Sequence, residues 1–211
     1  QTMANDLFFS CKRVLLGDEF GLGKTVTAIL SFNSKTMPVM VVCQTHLQEH
    51  WKEQIAKFTD LKVHLIKVTK PYNLPPADVY VIKYSCLAGW SDTFDMGLFK
   101  LVVFDECQEL RRSESIKYQG AKSLSRNAQY VYGLSATPIY NYGDEIFNIL
   151  NLIKPDCLGE WNDFMREWTG YSKKVKDPQA LGSYLRENFL LLRRTREEVG
   201  KTLDLDFAGS L

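Results

Sequence analysis

Three short stretches carry residue types that can handle a phosphate ester together. Gly17-Asp18-Glu19-Phe20-Gly21-Leu22-Gly23-Lys24-Thr25 ends in the glycine, lysine and hydroxyl of a phosphate-binding loop. Gly21 and Gly23 let backbone N–H groups turn inward around an anion, Lys24 suits β- and γ-phosphates, and the Thr25 hydroxyl suits Mg²⁺. The strict pattern G-x-x-x-x-G-K-[ST] wants its first glycine at position 18, where this chain has aspartate. Taken alone, the stretch also reads as a glycine turn ending in a surface lysine. Downstream, Leu101-Val102-Val103-Phe104-Asp105-Glu106 is an apolar run ending in two carboxylates. After a phosphate loop, Asp105 suits the Mg²⁺ shell and Glu106 the orientation or deprotonation of attacking water. Gly133-Leu134-Ser135-Ala136-Thr137-Pro138 adds two hydroxyls in a proline-closed turn, able to bridge the carboxylates to a moving partner or simply to cap the turn.

These stretches need a scaffold that brings distant strand ends together, and the hydrophobic pattern supplies one. Val14 to Leu16, Val39 to Cys43, Val63 to Val68, Val79 to Ile82, Leu101 to Phe104 and Tyr130 to Leu134 are apolar at successive positions, as strands buried on both faces of a parallel sheet are. Between them Thr25 to Phe32, Leu47 to Phe58 and Ser115 to Ser125 have helical period. The expected class is α/β, a mostly parallel sheet flanked by helices, with ligands at the C-terminal strand ends. Beyond about residue 144 the strand signals stop. Glu145 to Ile153, Glu160 to Trp168 and Leu181 to Asn188 then read as helices of a C-terminal appendage, with Gly170 to Pro178 as a polar loop.

Composition narrows the function classes. The 211 residues are 45% hydrophobic and 24% charged, enough to bury a substantial core. Lys+Arg of 26 against Asp+Glu of 25 leaves a net charge of +1, so any nucleic-acid contact must be local. No apolar run is long enough to span a bilayer and no signal-peptide pattern opens the chain, which predicts a soluble, intracellular protein of cytoplasm or nucleus. Five cysteines (Cys11, Cys43, Cys86, Cys107, Cys157), widely separated and never in a C-x-x-C pair, predict reduced thiols, mostly in the core. Trp51, Trp90, Trp161 and Trp168 sit at helical positions and read as core. Lys173-Lys174-x-Lys176 and Arg193-Arg194-x-Arg196 are basic clusters, either solvated faces or phosphate contacts. A rival chemistry lies in His46-Leu47-Gln48-Glu49-His50, which fits H-x-x-E-H, an inverted zinc-hydrolase signature. A zinc site needs three protein ligands, and His64 is the only further histidine.

The order and spacing of GDEFGLGKT, FDECQEL and GLSATPIYN resemble motifs I, II and III of helicase superfamily two, in the form carried by Swi/Snf-type ATPases. Val41 to Leu47, followed by Trp51 and Glu53, is similar to motif Ia and the helix after it. Asn151 to Pro155, Phe164, Phe189 to Thr195 and Val199 resemble the end of that family's first lobe. The resemblance implies a RecA-like ATP-binding lobe over residues 1–143 and a helical extension over 144–211. Its implied activity is ATP hydrolysis coupled to translocation along double-stranded DNA, with ATP and Mg²⁺ as cofactors. Asp18, Glu19, Gly21, Leu22, Gly23, Lys24 and Thr25 would form the ATP loop. Asp105 with Thr25 would hold metal, Lys24, Asp105 and Glu106 would be catalytic, and Gln108, Ser135 and Thr137 would couple nucleotide state to motion. Gln44, Thr45, Tyr84 and Ser85 would meet the DNA backbone, and Gln1 matches a glutamine that reads adenine. Gln108 replaces a common histidine and Gln44 a common proline. Motifs IV to VI, with their arginine fingers, belong to a second lobe of a longer chain. An arginine finger is worth roughly 10³ to 10⁵ in rate, so the first lobe alone is expected to be nearly inactive and non-catalytic scaffolding is the alternative.

Overall fold

The computed structural model describes residues 9–17, 23–137 and 141–193. Its strands are β1 (Arg13–Leu16), β2 (Val39–Cys43), β3 (Val63–Ile66), β4 (Val79–Lys83), β5 (Leu101–Phe104), β6 (Tyr130–Leu134) and β7 (Leu191–Leu192). They form one 7-stranded sheet in the order β3-β4-β2-β5-β6-β1-β7, and every strand pair is parallel. Parallel strands need crossovers, and except between β3 and β4, which an irregular loop joins, helices supply them: α1 (Lys24–Ile29), α2 (Gln48–Phe58), α3 (Ser91–Phe94), α4 (Ile116–Arg126), α5 (Gly143–Ile153), α6 (Trp161–Trp168) and α7 (Pro178–Glu187).

Alternation along the strands divides the core into two layers. Val14, Leu16, Val39, Val41, Leu101, Val103 and Leu134 face one side, where Ala28 and Ile29 of α1 and Trp51 and Ile55 of α2 cover them. Leu15, Met40, Val42, Val102, Phe104 and Val131 face the other, beneath α4, α5 and the 3₁₀ turn Tyr84–Trp90. Burial on both faces is why the central strands read as unbroken apolar runs. The edge strand β3 is the exception, with only Ile66 fully buried.

The strand signal that the sequence shows ending near residue 144 resumes at β7, which pairs with β1 through Leu15–Leu191 and Leu16–Leu192. A two-residue strand is too short to carry a period, which is why it escapes pattern reading. The C-terminal helices share the sheet's core: Ile146, Leu150, Phe164, Leu181 and Leu185 belong to the same buried cluster as Leu15 and Phe104. Helix α7 starts earlier than periodicity implies, because Asp177 accepts a hydrogen bond from the Ala180 amide and Pro178 fills the first turn. Trp51 and Trp90 are fully buried, whereas Trp161 is 39% exposed and packs edge-on against Phe147, so it is not a core residue. Cys43, Cys86 and Cys107 are buried and all five thiols are free.

Candidate functional site

Strands β1, β2, β5 and β6 are contiguous in the sheet, so their C-terminal ends release four chemically loaded segments along one edge. Register enforces this: Leu16 is level with Leu134, and Val42 with Phe104. The amide of Asp105 bonds to the Val42 carbonyl at 2.8 Å and that of Ser135 to the Leu16 carbonyl at 3.0 Å, prolonging the ladders into the site. Sequentially remote residues thereby share a cleft of about 550 Å³, lined by Gly23, Lys24, Thr25, Asp105, Glu106 and Gln108 and walled by His46, His50 and Gln54 on the α2 side.

Gly23 stands at φ 79, ψ 36, the left-handed conformation that a glycine adopts without a Cβ penalty, and hands the chain straight into α1. Thr27 Oγ1 donates back to the Gly23 carbonyl at 3.0 Å, fixing that turn. Asp18, Glu19, Gly21 and Leu22 lie outside the described residues, as does Gln1.

At the β5 exit, Asp105 is held from two sides by buried aromatic residues. Trp51 Nε1 donates to Asp105 Oδ2 at 2.8 Å, and the Tyr84 hydroxyl donates to the Asp105 carbonyl at 2.6 Å. Burial pushes the Asp105 pKa up, the Trp51 hydrogen bond opposes it, and the charge of Glu106 adds to the rise. Lys24 lies close enough for its charge to pull the same carboxyl back down. Glu106 takes φ 46, ψ 55, a left-handed backbone that costs a non-glycine residue of order 1–3 kcal/mol and turns the chain sharply between the two carboxylates. Gln108 then links the acids to the third stretch. Its Nε2 donates to Glu106 Oε2 at 2.7 Å, its Oε1 accepts from Ser135 Oγ at 2.9 Å, and Ser135 Oγ lies 3.2 Å from Thr137 Oγ1. The amide's two ends serve one acceptor and one donor, a task suited to glutamine. A hard-oxygen pair, Thr25 and Asp105, beside an ammonium group and a tight backbone turn fits a Mg²⁺–nucleotide.

The residues implied as DNA contacts separate. Thr45 and Ser85 are exposed, and Gln44 is part-buried with its Nε2 on Glu109 Oε1 at 3.2 Å. Tyr84 is only 5% exposed, and its hydroxyl donates to the Asp105 backbone carbonyl, so its side chain braces the β5 exit from within and does not face a surface ligand. Lys173 and Lys174 are exposed, and Lys174 forms a bridge with Tyr142. Arg194 and Arg196 lie outside the described residues.

The zinc pattern does not assemble. His46 falls in a 3₁₀ turn before α2, Glu49 is spent on Lys67 at 2.8 Å, and His64 bonds to the Tyr72 hydroxyl. Among the described residues no group of three His, Cys, Asp or Glu side chains is placed to hold a metal ion. Burial raises the thiol of Cys43 to about 12 and that of Cys157 to about 11, leaving both protonated and inert. No helix among the described residues is long and apolar enough to cross a membrane.

The chain resembles known proteins in sequence and in fold. The chain is 28% identical over 197 residues to the uncharacterized ATP-dependent helicase YqhH of Bacillus subtilis, covering 89% of this chain and 34% of that protein. It is 28% identical over 160 residues to a Caenorhabditis elegans homologue of SWI/SNF-related matrix-associated actin-dependent regulator of chromatin subfamily A-like protein 1, covering 72% of this chain and 23% of that one. The chain thus spans about a third or less of these relatives' length. Its fold superposes with a TM-score of 0.77 on the Sulfolobus solfataricus SWI2/SNF2 ATPase core solved with double-stranded DNA, at 23% identity and over 92% of this chain and 42% of that one. Residues 8–206 match the family model described as the SNF2-related domain, and the chain is a member of that family.

Proposed function

We propose that this chain is the ATP-binding lobe of a Swi/Snf-type, DNA-dependent ATPase that couples ATP hydrolysis to movement along double-stranded DNA. The observation that carries the reading is the convergence of Lys24, Thr25, Asp105, Glu106 and Gln108 in one cleft from separate loops. Lys24 binds the β/γ-phosphates as a point charge. Thr25 and Asp105 present oxygens to Mg²⁺, which when bound neutralises charge on the phosphate oxygens. Glu106 orients the attacking water and takes up its proton, and Gln108 fixes the Glu106 carboxylate through Oε2. The Gln108–Ser135–Thr137 chain carries the state of that carboxylate to the segment after β6.

Several finer assignments belong to the same reading. Asp18, Glu19, Gly21, Leu22 and Gly23 complete the phosphate loop, residues 1–143 form the ATP-binding lobe and residues 144–211 close it. Gln44, Thr45 and Ser85 contact the DNA backbone at the C-terminal strand ends, and turnover needs a second RecA-like lobe. The complete set Lys24, Asp105 and Glu106 supports hydrolysis over passive scaffolding, since holding nucleotide has no use for a water-directing acid. In a chain joined to its second lobe, Glu106→Gln should lower DNA-stimulated ATPase by about 10²-fold or more, the scale of general-base catalysis. An unchanged rate would overturn the catalytic assignment.

A further inference from the structure

The indole of Trp51 makes a hydrogen bond that its place in the core does not require. Trp51 is fully buried on α2 among Val41, Val103 and Ile55, a setting in which phenylalanine would fill much of the same apolar volume. Its Nε1 nevertheless reaches the β5 exit and donates to Asp105 Oδ2 at 2.8 Å. The opposite carboxylate oxygen, Oδ1, accepts the Glu106 amide at 3.0 Å, and the Asp105 carbonyl accepts the Tyr84 hydroxyl at 2.6 Å. Indole N–H is a donor only, so the bond has one polarity and holds the ring's partner as an acceptor. With a donor on each carboxylate oxygen, rotation about the Cα–Cβ and Cβ–Cγ bonds is restrained, while the Tyr84 bond pins the Asp105 backbone from which the side chain extends.

We propose that Trp51 is a positioning residue for metal binding, holding the Asp105 carboxylate in the orientation that receives Mg²⁺, an inference that rests on the reading of Asp105 as the metal carboxylate. Outer partners of metal-bound carboxylates act in this way, and their loss typically costs 10- to 100-fold in metal affinity. Trp51 also ties α2 to the site. The Gln44–Glu109 bond at 3.2 Å fastens the start of the same segment to the turn after Asp105, so the β2–α2 connection and the β5 exit move as one piece.

The test measures binding of a fluorescent ADP analogue to the chain with Mg²⁺ varied and, separately, in EDTA. Trp51→Phe keeps a ring and removes the N–H; a second variant carries benzothienylalanine at position 51, whose sulfur replaces the N–H at nearly unchanged shape. The expected result for both is a 10- to 100-fold rise in the Mg²⁺ concentration giving half-maximal binding, with metal-free affinity within about twofold of the parent. The isosteric variant keeps the test decisive if Trp51→Phe fails to fold. Equal Mg²⁺ dependence in parent and isosteric variant overturns the proposal, as does a parallel loss of metal-free affinity, which marks a packing role. Mg²⁺-independent binding by the parent would overturn it in a different way, by removing the metal assignment of Asp105 itself.

Discussion

At the residue scale the site depends on side chains that each satisfy two demands. Gln108 is the clearest, donating to Glu106 and accepting from Ser135 through the two ends of one amide. Removing it in Gln108→Ala leaves Glu106 without its charged-group hydrogen bond, a loss of about 1.5–3 kcal/mol in positioning. DNA-stimulated ATPase of a two-lobe chain should therefore fall about 10- to 100-fold, while nucleotide affinity stays within about twofold. Glu109 carries a pH prediction. Its hydrogen bond from Lys117 at 2.6 Å holds its pKa below the ordinary 4.5, so its contribution to stability is full above that value and is lost as pH falls through the lower folded value. Thermal melts of Glu109→Gln and parent should differ at pH 6 and converge as the medium is acidified through that window. The placement of Asp105 and Glu106 after β5 and of Ser135 and Thr137 after β6 was legible because strand-then-acid and strand-then-hydroxyl patterns are local. The role of Trp51 was not, since its bond spans 54 positions and indole at a helical core position looks like packing alone. Tyr84 was placed at the DNA backbone by the family resemblance, and only tertiary placement shows that its hydroxyl is turned inward.

At the element scale, close approach decides which substitutions the scaffold tolerates. Gly120 lies inside α4, where alanine would ordinarily gain about 1 kcal/mol in helix propensity. A Cβ there would stand 2.7 Å from the Leu87 carbonyl carbon and 2.8 Å from its oxygen, which are backbone atoms of the turn Tyr84–Trp90. Overpacking costs about 1–3 kcal/mol, so Gly120→Ala should destabilise in chemical denaturation, and a stabilised variant would refute this packing. Arg13 acts as a clamp at the start of β1, its guanidinium donating to Ile153 O at 2.9 Å, Ser125 O at 2.9 Å and Ala128 O at 2.5 Å. Arg13→Met removes this donor from the Ile153 and Ala128 carbonyls and from Ser125 O, the last of which keeps the Ala128 amide at 3.2 Å. At about 1–3 kcal/mol for the groups left unsatisfied, the melting temperature should drop by several degrees. The strand cores and most helices were legible from period, and the structure adds the cap at Ser115, which accepts from the Tyr118 amide. The β7 strand and the Arg13 clamp were not, because two residues have no period and a lone arginine before a strand carries no signal of long-range carbonyl partners.

At the scale of the whole molecule, near-zero net charge and the proposed phosphate cleft define what the chain should do by itself. With a net charge of +1 there is no global field to hold DNA, so binding should be weak, insensitive to sequence and steeply salt-dependent, with a log–log slope of about −0.9 per phosphate neutralised. A salt-independent or sequence-selective affinity would contradict this. The α/β class was legible in the sequence because buried parallel strands declare themselves, and the RecA-like arrangement through the family resemblance of the three stretches. What sequence could not supply was the strand order that makes β2, β5, β6 and β1 neighbours and so turns scattered stretches into one edge. The central claim is that this edge holds Mg²⁺–ATP through Lys24, Thr25 and Asp105. Calorimetric titration of the chain with a non-hydrolysable ATP analogue and Mg²⁺ tests it most directly. Saturable one-to-one binding, weakened at least about tenfold by Lys24→Ala as expected for a lost charge-assisted phosphate contact, is the predicted result; no binding, or binding indifferent to Lys24, would contradict it.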